Sequence, residues 1–134
     1  MKTIQYILLV LITTTSLAQV SKSSDLFQQM KTLDSIVFEV GFNNCNLAPT
    51  EAILTSDFEF YHDKGGLTEG KEAFVGGIER GCSNRDAKLS QPAKRILVTG
   101  SLEVYPMYKN GKLYGAIQHG IHSFEFLNEN QEYE

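Results

Sequence analysis

Three histidines are the side chains of this sequence with the widest range of chemistry, and His62 has the most informative surroundings. It follows the aromatic run Phe58-Glu59-Phe60-Tyr61 and precedes the pair Gly65-Gly66, where the chain can turn sharply. Side chains alternate across a strand, so Phe58, Phe60 and His62 share one face. Imidazole titrates near neutral pH, which suits acid–base catalysis or ligand contact. The alternative is a structural histidine at the edge of the core.

His119 and His122 are three positions apart near the end of the chain. On a strand this spacing sends the two side chains to opposite faces, which disfavours a shared metal ion. Neither cysteine has the spacing of a metal-ligand set, so we predict no metal and no cofactor. His122 is the second candidate for a catalytic acid or base, if the fold brings it to the same cavity as His62.

Cys45 and Cys82 form an even pair, which favours a disulfide in an oxidising compartment. Closing a loop of this length is worth about 4 kcal/mol in the chain-entropy model. Because the sequence does not show how far apart the two Cα atoms lie, two separate thiols remain the alternative.

The first 18 residues have the three parts of a secretory signal peptide. Lys2 supplies the positive charge, residues 6–12 form the apolar segment, and Ser16-Leu17-Ala18 places small residues before a cleavage site. A membrane helix needs roughly 20 apolar residues, and Thr13-Thr14-Thr15 interrupts this run too early. We therefore predict cleavage after Ala18 and a secreted or periplasmic protein with no membrane segment. A buried N-terminal helix is the alternative.

Composition narrows the classes of partner and the number of domains. The formal net charge is −4, and the sequence shows none of the basic patches or stripes that nucleic-acid binders usually carry. Nucleic acid is therefore not an expected partner. The densest basic run, residues 88–95, is expected to be a solvated loop. The length of 134 residues suggests one domain, over residues 19–134.

Apolar periodicity predicts the helices. Ser24 is a good N-cap, and apolar residues then recur at spacings of three and four until Gly41, a typical C-cap. Asp34 lies off this apolar stripe and is expected to be solvated. A second helix is predicted over residues 47–54. Thr68 is expected to cap a short third helix, which is followed by loop over residues 81–92.

Two long strands are predicted in the second half of the chain, over residues 95–105 and about 113–126. Asn110-Gly111 between them is a strong hairpin signal. Gly100 predicts a bulge or bend within the first strand, which Pro106 should end. The remaining polar tail is expected to fray.

Helices followed by long antiparallel strands are typical of the α+β class. The segments Phe38–Leu47 and Asp57–Asp63 resemble the nuclear transport factor 2-like superfamily, also called SnoaL-like or cone-fold proteins. The segments Gly100–Pro106 and Tyr114–Gln118 are also similar to a secreted bacterial branch of unassigned function, and the resemblance spans roughly residues 25–126. It implies N-terminal helices packed in a curved antiparallel sheet, a cone-like half barrel around a conical pocket. Similar proteins usually continue with two further strands, so either this chain is C-terminally truncated or another chain completes the sheet.

The resemblance implies a pocket that serves isomerisation, dehydration, cyclisation, plain ligand binding or only dimer contacts. We expect an exported protein that binds a small apolar or amphipathic molecule without catalysis, in a pocket lined by Phe60, Tyr105, Gln118 and His122. The alternative is an isomerase, dehydratase or cyclase in which His62 or His122 is the general acid or base. A third interpretation is a structural module that forms a homodimer through the edge of its sheet.

Overall fold

A computed structural model describes residues 19–88, 90–130 and 132–134 of the chain. The signal peptide predicted over residues 1–18 lies outside these ranges and stays a prediction. Helices and antiparallel strands follow one another in the described part. In chain order they are α1 (Asp25–Ser35), a π-helix that continues it (Ile36–Asn43), α2 (Leu47–Ile53), β1 (Glu59–His62), β2 (Gly66–Glu69), α3 (Lys71–Asp86), β3 (Ala93–Leu97), β4 (Glu103–Lys109), β5 (Lys112–His119) and β6 (His122–Phe126).

The first helix begins where the sequence predicts but ends later. The Ser24 hydroxyl accepts a hydrogen bond from the Phe27 N–H at 3.2 Å, which confirms Ser24 as the N-cap. Phe27 is buried and forms the small core with Leu102 and Val104. The prediction that the helix ends at Gly41 is wrong, because α1 continues as a π-helix through Asn43.

Gly41, which the sequence predicted as a C-cap, lies at a close contact between the π-helix and α2. Thr50 of α2 is completely buried, and its hydroxyl donates a hydrogen bond to the Ile36 carbonyl at 2.9 Å. A Cβ atom at Gly41 would collide with this hydroxyl. Gly41 therefore permits the close packing of the two helices and does not end the first one.

The predicted short helix after the Gly-Gly turn is longer and begins later than expected. Thr68 does not cap it, because Thr68 pairs with Phe60 in the antiparallel hairpin of β1 and β2. α3 begins at Lys71 and continues through Asp86, so residues 81–86, predicted as loop, are helical. The glycines of this segment lower its helix propensity, which is why the sequence underestimates its length.

The two long strands form one ribbon with a bend. β3 pairs with β6 and β4 pairs with β5, both antiparallel. Asn110 and Gly111 have φ of 52° and 75° and make the tight turn of the predicted hairpin. Gly100, with φ of 83°, lies at the bend that divides each predicted strand into two.

Pro106 lies inside β4 and does not end the strand as predicted. The Val104 carbonyl accepts the Val20 N–H, so the backbone of Val104 faces away from β5. Pro106 is two residues further along, and its backbone nitrogen therefore also faces away from the ladder. A proline at such a position removes no hydrogen bond between the two strands.

The α+β class is confirmed. Within the described residues the strands form three two-stranded antiparallel sheets, of order β1-β2, β3-β6 and β4-β5. The β3–β6 and β4–β5 sheets are the two halves of the ribbon, one on each side of the bend at Gly100. A single curved sheet that closes into a cone around the first helix stays a prediction.

A buried ion pair joins α1 to β3. The side chains of Asp34 and Arg95 are only 7% and 8% exposed, so the expectation of a solvated Asp34 is wrong. The two terminal nitrogens of Arg95 donate to the two carboxylate oxygens of Asp34 at 3.1 and 3.3 Å. The guanidinium carbon lies 3.7 Å from the centroid of the Phe38 ring, and Gln118 of β5 donates to Asp34 at 3.1 Å. Four elements therefore meet at this pair.

The side chain of Asn43 covers the outer edge of β3. Its amide donates to the Arg95 carbonyl at 2.9 Å and accepts from the Arg95 N–H at 2.8 Å. These are the two backbone groups that a neighbouring strand would otherwise bond. The end of the π-helix is thereby fastened to β3 beside the ion pair.

Cys45 and Cys82 lie at disulfide distance, with sulfur atoms 2.06 Å and Cα atoms 6.0 Å apart, which confirms the predicted pairing. The bond links the connector after the π-helix to α3, across 37 positions of sequence. A terminal nitrogen of Arg85 lies 2.6 and 2.9 Å from the two sulfurs. The disulfide therefore fixes α3 against the first helical segment.

We predict that Arg95→Met lowers the free energy of unfolding by roughly 3–5 kcal/mol, because it leaves the Asp34 carboxylate buried without a partner. The double variant Asp34→Leu/Arg95→Met should be more stable than Arg95→Met alone, since it buries no charge. Denaturant unfolding of the variants measures both effects. Lys31→Met removes the same charge from an exposed position of α1 and should change stability by less than 0.5 kcal/mol or so. Equal effects of Arg95→Met and Lys31→Met would contradict the prediction.

We predict that loss of the disulfide lowers the free energy of unfolding by about 4 kcal/mol, the entropy of an unfolded loop of this length. Reduced protein and the variant Cys45→Ala/Cys82→Ala should lose similar amounts relative to the oxidised protein. Denaturant titration with and without reductant, after mass measurement of the oxidation state, gives all three values. An oxidised protein no more stable than the double variant would show that the bond does not stabilise the fold.

Candidate functional site

A cavity of about 590 Å³ lies between the π-helix, the β1–β2 hairpin, α3 and the β3–β6 pair. Small-molecule sites in proteins usually measure roughly 300–1,000 Å³. Five of the eight phenylalanines of the chain line the cavity, and they come from every one of these elements. They are Phe38, Phe42, Phe60, Phe74 and Phe124. The wall is therefore mainly aromatic.

Contacts between these rings hold the cavity walls in place. Phe74 of α3 packs against Phe58 and Phe60, with ring centroids 5.0 and 4.9 Å apart. On the opposite wall, Phe42 and Phe124 meet edge to face with centroids 6.2 Å apart. Aromatic pairs at such distances stabilise a defined arrangement of the rings beyond the area that they bury. The cavity thus has two aromatic walls from distant parts of the chain.

Glycines of α3 leave the space between these walls open. Gly77 and Gly81 are four positions apart, which places them on one face of the helix, and both line the cavity. A Cβ atom at Gly81 would meet no atom within 4 Å. The sequence analysis placed Gly81 in the loop predicted over residues 81–92, so it did not predict the two glycines on one helix face. Their spacing of four is the signal that could have indicated an open helix face.

His62 lines the cavity, and one of its ring nitrogens also accepts hydrogen bonds from the backbone of the β1–β2 turn. The Nδ1 atom accepts hydrogen bonds from the backbone N–H groups of Lys64 and Gly65, both at 3.0 Å. Asp63 Oδ1 is 3.1 Å from the same nitrogen, but the two backbone donors already use its lone pair. In the neutral ring the proton is therefore on Nε2. His62 is therefore a turn residue whose Nε2 has no hydrogen-bond partner among the described residues, and its contact with a ligand stays a prediction.

Of the residues predicted to contact a ligand, the structure brings only Phe60 together with His62 at this cavity. Tyr105 and Gln118 are absent from its described lining. Both lie on the β4–β5 half of the ribbon, beyond the bend at Gly100, whereas the cavity uses the β3–β6 half. The sequence predicted a bend or bulge at Gly100. It did not predict that this bend separates Tyr105 and Gln118 from the cavity.

The polar groups of Tyr105 and Gln118 form hydrogen bonds with residues outside the described cavity lining. The Tyr105 hydroxyl donates to Glu103 at 2.7 Å, and this bond raises the pKa of Tyr105 above its ordinary value. The Gln118 amide donates to Asp34 in the buried ion-pair network. Gln118 therefore supports the cavity wall through Asp34, without contact to the cavity.

His122 lies near the cavity but is not part of its described lining. It is exposed, and its ring meets the ring of Phe124 edge to face with centroids 5.4 Å apart. His122 and Phe124 share a face of β6, and His122 is the one closer to the bend. The predicted convergence of His62 and His122 on one cavity is not seen among the lining residues.

The feature that the sequence analysis missed is the position of the arginines. All three arginines of the chain line the cavity: Arg80 and Arg85 from α3, and Arg95 from β3. Arg95 is buried, so the expectation that the whole run 88–95 is a solvated loop is wrong at this residue. Three arginines within 16 positions, in a chain with many more lysines, is the signal that was available.

Among the described residues, no group of three or more His, Cys, Asp or Glu side chains is placed to hold a metal ion. None of the helices in the same part of the chain is long and apolar enough to cross a membrane. No protein-family model, curated protein or solved structure matches the chain. The geometry of the cavity is therefore the basis on which a function can be argued.

Proposed function

We propose that the protein binds a small, largely apolar molecule in the phenylalanine-lined cavity and does not transform it. The observation that supports this most directly is the cavity itself, of about 590 Å³ with five phenylalanine rings in its wall. Burial of apolar ligand surface contributes about 25 cal/mol per Å², so an aromatic wall of this extent can supply most of the binding energy.

The polar groups of the cavity favour binding over acid–base catalysis. The described lining contains no aspartate or glutamate, and its only histidine is His62. A general base needs a free lone pair within reach of the substrate. The lone pair of His62 Nδ1 already accepts two backbone hydrogen bonds, so this nitrogen is not free to act as a base. An isomerase, dehydratase or cyclase built on His62 or His122 is thus the weaker proposal.

A homodimer through the sheet stays a separate proposal. Tyr114 and Ile117 of β5 are 65% and 56% exposed, and Ile121 beside them is 60% exposed. Exposed apolar side chains along a strand edge favour pairing with another strand. These residues lie outside the described lining of the cavity, so such a dimer would leave the proposed binding site unchanged.

We predict that Gly81→Leu weakens binding of the neutral fluorescent dye Nile red without destabilising the fold. The leucine side chain would occupy space that is open in the native cavity, and leucine is a better helix former than glycine by up to about 1 kcal/mol. Fluorescence titration should show at least roughly tenfold weaker binding, the loss expected when about 1.4 kcal/mol of contact is removed. The melting temperature should be equal or higher.

Ser83→Leu is the matched control, because Ser83 is an exposed residue of the same helix outside the described cavity lining. It should leave the affinity for Nile red within twofold or so of the native value, since it removes no cavity volume. If Gly81→Leu binds the dye as tightly as the native protein, the cavity is not the binding site and the proposed function is wrong. If the native protein does not bind the dye at all, the proposal is wrong as well.

A further inference from the structure

We infer that the ligand carries a carboxylate, and that Arg80 at the cavity wall recognises it. This inference rests on the proposed binding function and specifies its ligand: an amphipathic monocarboxylate with an aliphatic or aromatic body. Its basis is the charge of the cavity wall, which is opposite to the charge of the whole chain.

The distribution of charge is strongly uneven. The chain has 16 acidic and 12 basic residues and a formal net charge of −4. The described cavity lining nevertheless contains all three arginines and no acidic residue, and it contains no lysine either. Charged side chains of one sign around an apolar space attract a ligand of the opposite sign. An anionic group is therefore favoured inside the cavity despite the negative charge of the whole protein.

The three arginines differ in what already binds their guanidinium groups. Arg95 is neutralised by Asp34 and is a structural residue. Arg85 is half-buried, and its guanidinium donates to the carbonyls of Phe42 and Ala93 and contacts the disulfide sulfurs. None of these partners carries a charge, so the positive charge of Arg85 remains at the wall.

Arg80 is the arginine that is free to bind a ligand. Its side chain is exposed at the cavity, and it makes no hydrogen bond or ion pair with another described residue. Its guanidinium lies along α3, where Cβ atoms built at Gly76 and Gly77 would be 3.5 and 3.9 Å from it. The two glycines thus leave room for the guanidinium beside the helix, next to the apolar wall.

A carboxylate fits this arrangement better than a neutral polar group. The guanidinium presents paired N–H donors that match the two oxygens of a carboxylate, and such charge-assisted bonds are about twice as strong as neutral ones. The Nε2–H of His62 is a further donor at the same cavity. The aromatic walls would then bury the apolar body of the acid while the head group stays at Arg80.

The test compares an acid with the alcohol of equal chain length, decanoate and 1-decanol, by isothermal titration calorimetry below the micelle concentration. The native protein should bind decanoate more tightly than decanol. Arg80→Gln should weaken decanoate binding by roughly tenfold or more, the loss expected for hydrogen bonds to a charged group. It should leave decanol binding within about twofold, since the alcohol carries no charge for the arginine to pair with.

Lys71→Gln is the matched control, because it removes one positive charge from the same helix at a position outside the described lining. It should leave the affinities for both probes unchanged. If Arg80→Gln and Lys71→Gln weaken decanoate binding equally, the effect is one of net charge and the inference is wrong. If the native protein binds both probes equally and Arg80→Gln changes neither affinity, the carboxylate is not recognised, although the proposed binding function stands. Equal melting temperatures for the three proteins would exclude unfolding as the cause of a loss.

Discussion

The buried ion pair between Asp34 and Arg95 is the interaction on which the arrangement of the fold depends. Removing two charges from water costs several kcal/mol, which good geometry and further hydrogen bonds must offset. Here both carboxylate oxygens, the ring of Phe38 and the amide of Gln118 supply these contacts, and among the described residues only the buried Nε of Arg95 lacks a partner. Because these partners come from α1, the π-helix, β3 and β5, the full set of contacts forms only when all four elements are in place. It thereby positions Phe38 and β3, which together form one wall of the cavity.

The disulfide has the corresponding role for the opposite wall. α3 contains three glycines and has little intrinsic helix stability, so its position depends on tertiary contacts. The Cys45–Cys82 bond attaches it to the connector after the π-helix, and Phe74 packs its first half against β1 and Phe58. Because these contacts hold both halves of α3, its glycine-containing face can lie beside an apolar space. In this interpretation the cavity exists because the two walls are fastened separately and the residues between them are small.

The proposed recognition of a ligand and the stability of the fold use the same residue type in different ways. Arg95 forms a structural ion pair, and Arg85 donates to backbone carbonyls and contacts the disulfide. Arg80 lines the cavity and has neither kind of contact among the described residues. Arginine suits all three tasks because its guanidinium remains charged, stacks on aromatic rings and donates in several directions at once. The predicted acid–base residues fit less well, since the single histidine at the cavity is partly used by a backbone turn.

Local sequence signals determined a good part of this protein. The N-cap at Ser24, the tight turn at Asn110-Gly111, the cysteine pair and the α+β order of elements all follow from residue types within a few positions of one another or from composition. His62 and Phe60 could likewise be placed on one strand face, and both line the cavity. The tertiary structure alone decided the rest. Asp34 looked solvated because its partner is 61 positions away, and Gly41 looked like a helix end because Thr50 packs against it from another helix. The convergence of three arginines, and the separation of Tyr105 and Gln118 from the cavity by the bend at Gly100, depend on which elements become neighbours. Such contacts are set by packing over long sequence separations, which no local pattern records.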